Sequence, residues 1–425
     1  MRFFRALGRG LARFGLWLLM VLAMVVLLVG GTALFFYQQA DEGDLPASGV
    51  SFGGTELTVN GYDWTLPVLG GITEKQIARP GDLTVEDLGS FSSRPELTLP
   101  ADFRQDCTAK LTITDETGAT VFDGDAAGYA AFSFVRNGRY QATLRLTWPP
   151  LNSKPTGWYD YRFRFTLDLA SDIAISTDTV KQGEVIAVGI TGLPAGAEAT
   201  VETDLGPAWF VPRYDKLIAY IPVAYNREDG DYTIHITAGG HSQDFTVKVL
   251  YNPFEKVNLE TDTLSGSNAA VAQYQQAIWP LFETHGETCM WTGVFQEPVE
   301  QPNDGLVLSD YGSFEYIGDR TSPSRNTGIT YKCHQGVNVS APAAGQVVYA
   351  GNLELSGGTV VIEHGAGLKS YLYHLSEVSV KEGDTVEAGQ LIGKSSTLLQ
   401  FDMRIGNQSV DPNQALRGIG GLFWR

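Results

Sequence analysis

The sequence predicts a mainly β protein behind one apolar N-terminal helix, with two β-sandwich modules of immunoglobulin-like architecture followed by a C-terminal β-sheet core domain. Three observations predict this. Residues 14–40 carry no charge. Short runs that alternate apolar and polar residues recur downstream, and period two belongs to half-buried strands. Gly-containing turns separate these runs, while a helical pattern stands out only within residues 252–287.

The first element is "FGLWLLMVLAMVVLLVGGTALFF", longer than the about 20 apolar residues needed to cross a bilayer. Arg2, Arg5, Arg9 and Arg13 precede it, and Asp41, Glu42 and Asp44 follow. The positive-inside rule therefore makes residues 1–13 a cytoplasmic basic tail and 14–40 a single-pass anchor in the cell membrane, leaving 41–425 extracytoplasmic. The other reading is a signal peptide cut near Ala33. The apolar run continues past that point and outlasts a usual h-region, which favours the anchor. The formal charge is −18, and setting aside the four arginines leaves −22 for residues 14–425. So acidic a body lacks the basic footprint of a nucleic-acid binder.

Residues 41–169 are expected to form one sandwich. "AKLTITDETGATVFDGD" reads as a hairpin, and "AAFSFVRNGRYQATLRLTW" reads as another around its Asn-Gly pair. "GWYDYRFRFTLDL" alternates as a half-buried strand does. Residues 170–251 hold about seven short strands and suit a smaller immunoglobulin-like sandwich, without the Cys…Trp…Cys core of antibody domains. His235 and His241 fall there at surface positions. Residues 252–287 form a connector whose helix is capped by Ser267 or Asn268 and ends near Pro280. Residues 288–425 return to strands.

Three cysteines make no disulfide framework. Cys289 and Cys333 could pair in an oxidising compartment, whereas Cys107 lies far from both. Buried thiols are the other reading.

Several ordered motifs in the last region carry a resemblance. They are "HQGVN" from His334, "APAAGQVVYAG" from Ala341, "GGTVVIEHGAGLKSYLYHL" ending in His374-Leu375, "VKEGDTVEAGQLIG", and "LLQFD" from Leu398. Over about 120 residues this region resembles the lysostaphin/LytM-type zinc endopeptidases that cut peptidoglycan peptides. The resemblance implies a zinc held by a first His, an Asp four residues later and the second His of H-x-H, with two further histidines handling protons. Carried over, His334 matches the first ligand, Asn338 replaces the Asp and Gln400 replaces the third ligand. Leu398 replaces one proton-handling His, and His374 matches the other. The groove would be lined by His334, Asn338, Tyr373, His374, Gln400 and Asp402.

A catalytic zinc needs three good donors and an open position. One imidazole and two amide oxygens give zinc little affinity, and Leu398 can neither give nor take a proton. The resemblance therefore implies a catalytically inactive homologue with no cofactor. Such a protein would bind peptidoglycan stem or cross-bridge peptides, or scaffold or activate a cell-wall hydrolase. The alternative is an active zinc endopeptidase with an improvised site of His334, His374 and Asp402. Cys333 would face away from His334 across the strand, and His364 reads as structural. The phrase "VKEGDTVEAGQ" also occurs in biotinyl carrier domains, but Arg404 stands where such a domain needs its lysine.

Overall fold

The computed structural model describes residues 2–151, 153–260, 266–299, 305–318 and 322–425. Helix α1 (Arg2–Gln39) contains a stretch, Phe14–Gln39, of 26 residues that is long and apolar enough to cross a membrane. The chain divides into two compact units, one of residues 1–133 and 138–168, the other of residues 134–137 and 169–425.

The first unit is built on an antiparallel sheet of β1 (Val59–Val68), β2 (Thr73–Arg79), β3 (Thr108–Asp115), β4 (Thr120–Asp125), β5 (Arg136–Trp148) and β6 (Thr156–Leu167), in the order β2-β1-β6-β5-β3-β4. Alternation puts Tyr159, Tyr161, Phe163, Phe165 and Leu167 of β6 on the buried face. Phe52, from a small three-stranded sheet, covers them with its ring 4.8 Å from Phe163 and 5.1 Å from Phe165. The hairpin of β3 and β4 forms as its sequence predicts.

Asn137-Gly138 does not make a hairpin. β5 runs straight through it, and the residues before it instead form helix α2 (Ala126–Ala131), capped by the Asp125 carboxylate accepting from the Gly128 N–H at 2.7 Å. A two-residue type I′ turn needs positive φ at both positions, and Asn137 is not in that region. Its side chain is committed elsewhere, accepting from the Leu169 N–H at 2.7 Å and donating to the Leu169 carbonyl at 2.9 Å.

In the second unit, residues 172–250 form two four-stranded sheets. Ile186, Val188 and Ile190 of one meet Ile234, Ile236, Val247 and Val249 of the other in a common core. His235 lies outward between Ile234 and Ile236, its Nδ1 2.5 Å from Asp244. Helix α3 (Asn268–Ile278) begins where the Ser267 hydroxyl accepts from the Ala270 N–H at 3.1 Å, and a turn of 3-10 helix through Pro280 ends it.

The C-terminal sheet comprises β7 (Gly305–Ser309), β8 (Gly328–Cys333), β9 (Asn338–Ser340), β10 (Gly345–Leu353), β11 (Gly357–Gly365), β12 (Leu368–Val378) and β13 (Leu391–Ile405). Its order is β7-β8-β13-β12-β11-β10, with β9 also paired to β13. Leu399, Phe401, Met403 and Ile405 of β13 are fully buried in the main core with Ile329, Tyr331 and Leu372. His364 ends β11 inside the protein. Its Nδ1 is 2.8 Å from the Ala344 carbonyl and its Nε2 is 2.8 Å from the Ser370 hydroxyl, while burial lowers its pKa to about 4. Cys107, Cys289 and Cys333 are all thiols; Cys333 is buried, and burial raises the Cys289 pKa to about 11.

The sandwich and the C-terminal sheet share a seam within this unit. The Arg213 guanidinium donates to the Tyr220 hydroxyl and, at 3.2 Å, to the Leu422 carbonyl, and lies 4.1 Å from the centre of the Trp291 ring. Trp209 stacks on His285 with ring centres 4.9 Å apart.

Candidate functional site

Period two along β13 puts Leu398, Gln400, Asp402 and Arg404 on the face opposite the main core. Their cross-strand neighbours extend it: Gln400 lies opposite Thr330 and Tyr373, Asp402 opposite Gly328 and Tyr371, and Arg404 opposite Lys369. Gln400 and Asp402 are both buried.

This face is a connected polar network. The Gln400 amide Nε2 donates to Asp402 Oδ1 at 2.9 Å and to Asn326 Oδ1 at 3.4 Å. An ionised carboxylate only accepts, which fixes the amide's orientation. Asp402 Oδ2 accepts from the Thr327 hydroxyl at 2.6 Å and from the Arg404 guanidinium at 3.2 Å. Arg404 has its pKa raised: burial opposes its charge, and the Asp402 carboxylate more than offsets that. Gly328 is required beside Asp402, because a Cβ there would run into the carboxylate and the Phe401 carbonyl.

The connector helix covers part of the same face. The Tyr274 and Tyr373 hydroxyls are 2.9 Å apart, and Ile278 packs with Val361, Tyr371 and Tyr373. Arg404 lies 5.6 Å from the Phe282 ring centre and 5.8 Å from that of Tyr371. Tyr373 is fully buried and its pKa lies well above the usual value, burial being the main cause.

The remaining site positions lie around this network. His334 is exposed in the turn after β8, its carbonyl accepting from the Ser395 hydroxyl at 3.1 Å. Asn338 is exposed at the start of β9, opposite Lys394. Leu398 is half-buried opposite Lys332. His374 is half-buried at a bulge in β12 with φ of 63°, a conformation that non-glycine residues adopt sparingly and that redirects a side chain out of the strand's alternation. Its N–H donates to the Ser356 carbonyl at 2.8 Å.

The donor set does not fit a zinc ion. Gln400 turns its amide N–H toward Asp402, and Asp402 spends both oxygens on Gln400, Thr327 and the cationic Arg404. Among the described residues, no group of three or more His, Cys, Asp or Glu is disposed to hold a metal. Sequence reasoning missed that Arg404 and Thr327 engage Asp402. Arg404 was readable as its same-face neighbour two residues on, whereas Thr327, 75 positions away, was not.

Comparison with known proteins agrees with the C-terminal architecture. The model of peptidase family M23 matches residues 324–412. The murein hydrolase activator NlpD of Salmonella dublin is 36% identical over 118 residues, covering 26% of this chain and 29% of that protein. The DD-carboxypeptidase/endopeptidase Mpg of Neisseria meningitidis serogroup B is 31% identical over 132 residues, covering 26% of this chain and 30% of its own. The chain thus spans under a third of the length of these curated relatives. Among solved structures, a peptidase M23 from Pseudomonas aeruginosa aligns with 53% of this chain and 94% of its own at 17% identity and a TM-score of 0.37. Lysostaphin aligns with 30% and 56% at 24% identity and 0.26. Within the C-terminal region, residues 324–412 carry a peptidase family M23 domain.

Proposed function

We propose that this chain is a membrane-anchored, extracytoplasmic M23 homologue that does not hydrolyse peptides, and that its C-terminal domain binds peptidoglycan peptides or engages a cell-wall hydrolase. The observation that carries this reading is the closed network of Gln400, Asp402, Thr327 and Arg404. In it, the third ligand position and the one nearby carboxylate satisfy each other. Without the metal there is no means of lowering the pKa of an attacking water, and Leu398 offers no proton. Relatives named as murein hydrolase activators support a role at the cell wall. The apolar run Phe14–Gln39, preceded by arginines, supports the anchor.

Metal content and activity of the purified full-length chain test this directly. Substoichiometric zinc and intact peptidoglycan are expected. Stoichiometric zinc together with cleavage would sink the reading and favour the improvised site of His334, His374 and Asp402. Co-sedimentation with cell-wall sacculi, and capture of envelope hydrolases by the same chain, separate peptide binding from hydrolase engagement.

A further inference from the structure

We infer that two loop tips of the first unit rest in the membrane interface beside the exit of α1, so that this unit lies against the bilayer instead of standing clear of it. The inference rests on the anchor reading and adds the bilayer surface as the partner of a specific patch.

The tips are the β1–β2 turn, with Leu69, Gly70, Gly71 and Ile72, and the β5–β6 loop, with Leu151 and Ser153. Both lie at the same end of the sheet, since Val68 pairs with Thr73 and Trp148 with Gly157. They are tied together by the Ser153 hydroxyl donating to the Gly70 carbonyl at 2.9 Å. Yet they present large apolar side chains to solvent: Ile72 is 65% exposed and Leu151 is 49% exposed. A scattered exposed Leu or Ile needs no explanation, but these two sit on joined loops beside a membrane-length helix.

The helix sets their depth. Phe14–Gln39 has 26 residues, about 39 Å at roughly 1.5 Å per residue, against a hydrocarbon core of about 30 Å. With Phe14 at the cytoplasmic edge, the surplus of about six residues lies on the outer side, in the headgroup layer. Phe35, Phe36 and Tyr37 fall in that surplus and are exposed, as interfacial aromatics are. At this level the first unit grips the helix. The Lys75 ammonium donates to the Ala40 carbonyl at 2.6 Å and lies 5.4 Å from the centre of the Tyr37 ring. Phe36 and Gln39 share a cavity of about 470 Å³ with Leu69 and Ser153. The tips are thus level with the interfacial part of α1, where apolar side chains are stabilised at the acyl boundary and Lys154 can meet lipid phosphates.

The test uses the full-length chain in lipid nanodiscs carrying shallow nitroxide-labelled acyl chains. Ile72→Cys, Leu151→Cys, Val26→Cys and Leu83→Cys are each labelled with an environment-sensitive fluorophore. Leu83, 79% exposed, lies beyond the opposite end of the β1–β2 hairpin and serves as the aqueous control. Labels at 72 and 151 should emit to the blue of that at 83 and lose at least half their intensity to the lipid nitroxide. Labels at 72 and 151 that behave like that at 83, with the label at 26 still quenched by lipid, would overturn the inference and leave the anchor standing. An unquenched label at 26, or loss of the N-terminal segment on mass analysis, would overturn both. Labels at 72 and 151 shielded from aqueous quencher yet insensitive to lipid nitroxide would overturn it in favour of contact with a second copy.

Discussion

Asp402 shows how one buried side chain organises the polar face of β13. A buried carboxylate needs compensation, and here a guanidinium, a hydroxyl and an amide supply it. Removing one member leaves the others uncompensated. Asp402→Ala should therefore destabilise the C-terminal domain by about 3 kcal/mol, because Arg404 stays charged and largely shielded from water. Asp402→Asn should fall short of that loss, keeping the Thr327 hydrogen bond. Urea unfolding monitored by fluorescence measures both; a change below 1 kcal/mol in Asp402→Ala would show that the network is incidental. Motif order places Asn338 and Gln400 at the positions that the resemblance gives to ligands. What occupies Asp402 was half legible. Arg404 follows from strand periodicity, but Thr327 and Asn326 arrive from a loop whose register no local pattern specifies.

At the scale of elements, α3 is the part whose sequence signals and structure agree in detail. A cap at Ser267 or Asn268 and an end near Pro280 are readable, and the helix forms between them with Ser267 as its cap. That it lies over Tyr371 and Tyr373 was not readable, because the identity of the surface a helix meets depends on tertiary contacts. Ile278→Ala should destabilise by about 2–5 kcal/mol through the cavity it leaves. Tyr274→Phe should lose about 1 kcal/mol, the net worth of one hydrogen bond. Amide exchange in residues 270–278 should accelerate in Ile278→Ala; unchanged protection would mean that the helix does not depend on this contact. The Asn137-Gly138 pair is the opposite case. Its local hairpin cue yielded to the hydrogen bonds that the Asn137 side chain makes to residue 169.

Over the whole molecule, two buried groups oppose each other as pH falls. His364 has a lowered pKa of about 4, so its contribution is complete above about 6.5 and is lost as pH falls toward 4. Asp411 caps helix α4 (Pro412–Arg417) at the seam, its N–H donating to the Gly183 carbonyl at 2.8 Å. Burial, with Asp310 nearby, raises its pKa to about 6. Its protonated form favours the fold, so its contribution is present below about 3.8 and lost as pH rises through 6. The two slopes run against each other between about 4 and 6. Asp411→Asn keeps the cap and removes one slope, so its stability should fall more steeply from pH 6 to 4 than the parent's, by about 2 kcal/mol. Parallel denaturation curves for the two chains would refute this. The β-rich character of the chain and the apolar N-terminal helix were legible from composition and periodicity. The seam was not, since residues such as Arg213 and Leu422 carry no mark of each other in the sequence.

The Arg213 seam has a mechanical meaning. One guanidinium bonded to Tyr220 and Leu422 and stacked on Trp291 couples the sandwich to the last strandless turn of the chain. The sandwich is therefore no slack tether for the domain behind it. A pull applied to the sandwich passes through this rivet to the C-terminal turn.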